Sequence, residues 1–122
     1  MLFRIRTEQV ETFSRRLEDQ FASKTAAHLR NAFPVEVEKQ GFDDDGLRRL
    51  SLRGLTEARR YGVVNEADVE RYIECMLILD PKFDTDPRFP WARQALARAD
   101  LDGEAKMDFI DDYLVFDLRV GC

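Results

Sequence analysis

Between Asp80 and Trp91 the chain reads DPKFDTDPRFPW, which sets three carboxylates, three prolines and three aromatic rings in twelve positions. Carboxylates this close could hold a hard cation, so a calcium loop is the first chemistry to test. Such a loop needs oxygen ligands at fixed offsets, a central glycine and a glutamate at its twelfth position. Counted from Asp80, the twelfth position is Trp91, and the stretch has no glycine. A rigid corner between helices explains the residues better. Asp86 is a natural N-cap with Pro87 at N1, while Phe83, Phe89 and Trp91 can fold down as a plug over the helix ends. The same logic assigns Asp43, Asp44, Asp45, Asp68 and Asp102 to helix starts. No metal and no cofactor is expected.

Nucleophilic or acid-base catalysis needs a nucleophile with a base in reach. His28, the single histidine, falls on the apolar side of the first predicted helix, where a packed, locally hydrogen-bonded imidazole is expected. No serine lies in a G-x-S-x-G turn, no cysteine pair has ligand spacing and no glycine-rich loop follows a strand. Any two of the 24 acids could converge as a glycosidase-like pair, but nothing in their spacing favours it. Cys75, inside IECMLIL, and Cys122, the last residue, are expected as reduced thiols.

Charge points towards binding. Residues 1–60 carry 12 Lys/Arg against 10 Asp/Glu, a net +2, whereas residues 61–122 carry 7 against 14, a net −7. Arg49, Arg53 and Arg60 share one face of a predicted helix, with Arg48 and Arg59 beside them. A pI near 4.9 argues against a phosphate-binding domain, so this face is read as solvated or as a protein contact.

The elements that carry these residues are helical. From Thr7 to Phe33, Val10, Phe13, Leu17, Phe21, His28, Leu29, Ala32 and Phe33 recur at steps of three and four, with one gap around Thr25. Thr7 is the expected cap, with Glu8 and Glu11 in the first turn, and Pro34 the expected end. A polar connection, EVEKQGFDDDG, leads to a second helix from about Asp45 to Tyr61 with Leu47, Leu50, Gly54, Leu55, Ala58 and Tyr61 inward. Gly54, Ala58 and Gly62 form a small-residue groove for another helix, and Gly62 also suits a left-handed helix stop. Asn65 as cap, Asp68 at N3, and Val64 with Val69 as a hydrophobic staple mark the third helix. It places Val69, Tyr72, Ile73, Met76, Leu77 and Leu79 in or near the core and stops at Asp80-Pro81. A fourth helix begins near Pro87 or Pro90, and a fifth runs from Glu104 to about Arg119.

In that last helix Met107, Ile110, Leu114 and Leu118 make one apolar stripe, and Phe109, Tyr113, Phe116 and Val120 a second. Asp108, Asp111, Asp112 and Asp117 lie between them. One stripe suffices for packing. The second is either deeply buried or a face that a partner covers, and its aspartates need water or arginine partners. The expected architecture is an all-α, single-domain orthogonal bundle of about five helices over residues 1–122. LFRIR and YLVFDLRV are the two segments that could instead be strands. With 44% apolar residues there is enough hydrophobic surface to offset chain entropy. No apolar run reaches the roughly 20 residues that span a bilayer, and MLFRIRTEQVE lacks the apolar core of a signal peptide. A soluble, cytoplasmic protein is expected.

The runs YGVVNEADVERYI and FDTDPRFPWA, with HLRNAFP before them, resemble small helical proteins encoded beside bacterial type VI secretion spike, PAAR-tip and effector genes. The resemblance spans roughly residues 28–92, and the chain departs from the pattern at Asp80-Pro81, where those proteins carry a glycine. It implies no enzyme. It implies an accessory of effector delivery, a co-chaperone-like protein that binds an adaptor chaperone or an effector. The matching residues Tyr61, Gly62, Asp68, Tyr72, Asp84, Asp86, Pro87, Pro90 and Trp91 then read as determinants of the fold. Contacts are expected at Phe109, Tyr113, Phe116 and Val120, with Arg49, Arg53 and Arg60 as a second surface. An immunity protein that plugs a toxin with its aspartate-rich end is the alternative, and a small cell-wall-cleaving enzyme the rival from the catalytic class. A homo-oligomer that covers the second apolar stripe is also compatible with the sequence.

Overall fold

A computed structural model describes residues 7–117, with side chains over 15–115. It is all-α, with no strand among the described residues. The strand option at residues 2–6 lies outside them, as do Leu118, Arg119, Val120, Cys122 and the side chains of Val10, Phe13 and Phe116. The chain divides into two compact units, Met1–Leu52 and Arg53–Cys122.

In the first unit α1 spans Thr7–Ala32, α2 Pro34–Gln40 and α3 begins at Asp44. The side chain of Thr7, the expected cap, lies outside the described residues. The buried face of α1 is Phe21, Ala22, Thr25, Ala26 and Leu29, so Thr25 fills the gap in the apolar pattern. Leu17 and Ala32, expected inward, are exposed, Leu17 by 46%. His28 is half-buried with its ring edge-on to Phe33, centroids 6.4 Å apart.

Pro34 does end α1, because its ring bars Phe33 from helical backbone, and Phe33 sits at φ −131°, ψ 54°. The same proline then opens α2 at N1, where its missing N–H costs nothing. The polar connection expected here is therefore largely helix. Val37 is its buried residue, it packs on α1, and Gly41 closes it at φ 72° with its N–H on the Glu38 carbonyl, 3.0 Å. Asp43 caps α3, accepting from the Gly46 N–H at 2.7 Å. The Arg30 Nε–H donates to Asp44 Oδ1 at 2.8 Å, which ties the end of α1 to the start of α3.

α3 runs Asp44–Arg60 and its second half belongs to the second unit, with α4 (Glu66–Ile78), α5 (Pro90–Ala97), α6 (Gly103–Asp112) and a π-helical turn, Tyr113–Asp117. Six α-helices rather than five are thus present among the described residues. Leu47, Leu50, Leu55 and Ala58 are buried on α3 as its periodicity predicts, and Tyr61 is half-buried. A Cβ on Gly54 would run into the Ile73 and Met76 side chains, so its absence lets α4 lie against α3. A Cβ on Gly62 would meet no neighbouring atom, so Gly62 is not part of that groove. Its role is the helix stop: φ is 78°, and the Val63 N–H reaches back to the Ala58 carbonyl at 3.0 Å.

α4 begins and ends as its signals predict, with Val69, Tyr72, Ile73, Met76 and Leu77 buried. Its N-terminus differs from the predicted box and staple. Val64 is 68% exposed, so it cannot clamp Val69. The Asp68 carboxylate faces the Asn65 amide at 3.4 Å and Arg71 at 3.0 Å rather than a backbone N–H. Asp86-Pro87 does not open α5. Phe89-Pro90 does: Asp86 accepts from the Arg88 N–H at 2.9 Å as an N-cap would, but what it caps is a single turn, closed by the Phe89 N–H on the Asp86 carbonyl at 2.9 Å.

Candidate interaction surface

The C-terminal element is held from its first residue. Asp102 caps α6, its side chain accepting from the Ala105 N–H at 2.9 Å. A Cβ on Gly103 would lie 2.6 Å from the Gly62 carbonyl oxygen and 2.8 Å from Val63 Cα, so only glycine lets α6 start against the α3–α4 turn. One turn on, buried Lys106 donates through Nζ to the Tyr61 carbonyl at 2.8 Å. α6 packs on α4 and α5, and Met107, Ile110 and Leu114, the first predicted stripe, are buried.

The second stripe splits. Phe109 is 44% exposed, whereas Tyr113 is half-buried and stacked on Trp91, centroids 4.2 Å and planes 13° apart. Phe89 lies edge-on to Trp91 at 6.1 Å, and the Arg88 guanidinium lies 5.1 Å from the Phe89 ring centroid. The π-helical turn from Tyr113 changes the register, which a straight 3.6-residue extrapolation to Arg119 does not anticipate. Val115, on neither predicted stripe, is 41% exposed. Phe116 and Val120 cannot be placed, since they lie beyond the described side chains.

The aspartates of α6 find an arginine. Arg71 on α4 donates to Asp108 at 2.6 Å, Asp111 at 2.8 Å and Asp68 at 3.0 Å. Burial works against the guanidinium charge, but the three carboxylates outweigh it and hold its pKa above the ordinary arginine value. Asp112 stays exposed. Sequence reasoning missed Arg71, whose only signal was its place one turn after Asp68.

In DPKFDTDPRFPW every acid accepts a hydrogen bond from the chain itself. Asp80 accepts from the Lys82 N–H at 2.8 Å, Asp84 from the Tyr61 hydroxyl at 2.6 Å, and Asp86 from Arg88 at 2.7 Å. The Arg88 side chain and backbone hold the Asp86 carboxyl below its usual range. Phe83 is fully buried against Tyr72, centroids 4.9 Å apart, and Tyr72 stacks on Tyr61. This is the rigid corner, tied to α3 and α4. Burial raises the Cys75 thiol pKa, so the group stays protonated and unreactive.

Arg49, Arg53 and Arg60 are all exposed on α3. Arg60 pairs with Glu57 at 3.2 Å, while Arg49 and Arg53 have no ion-pair partner among the described residues. No helix among the described residues is long and apolar enough to cross a membrane. Comparison with protein-family models, curated proteins and solved structures finds no match for this chain.

Proposed function

We propose that the protein works by binding another polypeptide through the exposed side of its C-terminal element, without catalysing a reaction. One observation carries this reading: Phe109 and Val115 hold large apolar side chains in water, 44% and 41% exposed, beside a Tyr113–Trp91 stack that fixes the backbone between them. A fixed backbone lowers the entropy lost on association, and exposed apolar area supplies the gain. Periodicity alone groups Phe116 and Val120 with Phe109, and Arg49, Arg53 and Arg60 offer a second, electrostatic surface.

The resemblance to type VI secretion accessories supports the partner class: an adaptor chaperone or an effector, met in the cytoplasm by a co-chaperone-like module. Co-expression with the adaptor or effector encoded beside this chain, followed by affinity co-purification, tests it. Wild-type protein should retain the partner, and Phe109→Asp should weaken the complex about tenfold or more with helicity unchanged. If Phe109→Asp and Arg53→Glu both bind as wild type does, neither surface is the site. The acidic second half, net −7, favours one further reading, an immunity protein against a basic toxin. Its deletion would then cause self-killing, whereas loss of a delivery protein blocks secretion alone.

A further inference from the structure

A groove of about 350 Å³ in the first unit is lined by Ser23, Ala26, Ala27, Arg30, Asn31, Asp44 and Arg48. Ala26 and Ala27 leave room along α1, and polar side chains surround them. Their hydrogen bonding is lopsided. Arg30 spends Nε and one terminal nitrogen on Asp44, both at 2.8 Å, and a guanidinium has five N–H donors, so others remain. Arg48 is half-buried, yet among the described residues its side chain has no hydrogen bond or ion pair, and neither have those of Ser23 and Asn31. The groove therefore holds two guanidinium groups against one carboxylate, with two uncommitted neutral donors.

A half-buried guanidinium has lost part of its hydration and gained no anion in return. The small floor and the planar fork of Arg48 suit a carboxylate on a short stem, bound through charge-assisted hydrogen bonds. We infer that this groove binds a carboxylate side chain of an acidic peptide segment, with Arg48 as its anchor and Ser23, Asn31 and Arg30 as supporting donors. The site is separate from the C-terminal element and does not depend on the function proposed for it.

Amide chemical shifts of the full chain, titrated with an amidated hexaglutamate peptide, test the inference. Saturable shifts at Ser23, Ala26, Ala27 and Asn31 are expected, with none from hexaglutamine. Arg48→Gln should weaken binding about tenfold, while Lys39→Gln, exposed on α2 outside the groove, should leave it unchanged. The inference is overturned if these amides do not respond, if Arg48→Gln binds like wild type, or if Lys39→Gln weakens binding as much, which would mean unspecific attraction. Tighter saturation by inorganic phosphate than by the peptide would also overturn it, by assigning the groove to phosphate groups.

Discussion

The Trp91 indole lies flat on the Tyr113 ring, 4.2 Å between centroids and 13° between planes. This contact joins the first turn of α5 to the residue at which α6 becomes π-helical, and so sets where the exposed apolar side chains of the C-terminal element stand. An aromatic pair of this kind contributes about 0.5–1.5 kcal/mol beyond the area it buries. Tyr113→Ala should therefore cost about 2–3 kcal/mol in chemical denaturation once lost area is included. Trp91 is the single tryptophan, so its emission reports the same change as a red shift. A variant with unaltered stability and emission would mean that the stack carries no weight.

Raising the pH should loosen the corner around Tyr61. Burial first, then the hydrogen bond to Asp84, move its pKa from 10.0 to about 12. The folded chain holds this proton more tightly than the unfolded chain does. Its stabilising contribution is therefore complete below pH 10 and is lost as the pH rises towards 12. Tyr61→Phe should remove Tyr61's share of the alkaline dependence, leaving the share of buried Tyr72 and Cys75, and cost about 1–3 kcal/mol at neutral pH, because Asp84, 8% exposed, loses its donor. Stability followed from pH 9 to 12 in both proteins decides the point.

Gly54→Ala sets two effects against each other. Helix propensity alone would favour alanine by about 1 kcal/mol. The added methyl would, however, strike Ile73 and Met76, and overpacking costs about 1–3 kcal/mol. The clash should win, giving a lower melting temperature. Gly62→Ala meets no atoms but keeps φ at 78°, so it should destabilise by backbone strain alone.

Much of this arrangement was legible in the sequence. The bounds of α3 and α4, the left-handed Gly62 and the buried stripe of α6 follow from periodicity and from Gly and Pro at helix ends. α2 was not seen, because seven residues with one buried position, Val37, leave no period to detect. Its signal was the pairing of Pro34 at the start with Gly41 at the end. Two prolines compete for the start of α5, and because Asp86 makes its capping-type bond to the Arg88 N–H even though only a single turn follows, cap chemistry alone does not choose between them. The fate of the second stripe depended on the π-helical turn and on Trp91, a contact between residues 22 positions apart. Arg71 gathers carboxylates 37 and 40 positions away, which spacing rules cannot reach.

Thr25 offers a test of the α1 interior. It is fully buried, and its hydroxyl has no hydrogen-bond partner. Thr25→Val keeps the branched shape and removes the unsatisfied group, so it should stabilise the protein by about 1 kcal/mol or more. Unfolding curves with an unchanged slope and a higher midpoint would agree. A loss of stability would show that the hydroxyl is satisfied in solution.

The central claim is that the C-terminal element meets a partner, and amide hydrogen exchange measures it most directly. The full chain is followed alone and with the adaptor or effector encoded beside it. Exchange should slow across Phe109–Val115 in the complex, and Phe109→Asp should abolish that protection. Binding with unchanged exchange across Phe109–Val115, or no binding by either neighbour, would contradict the account.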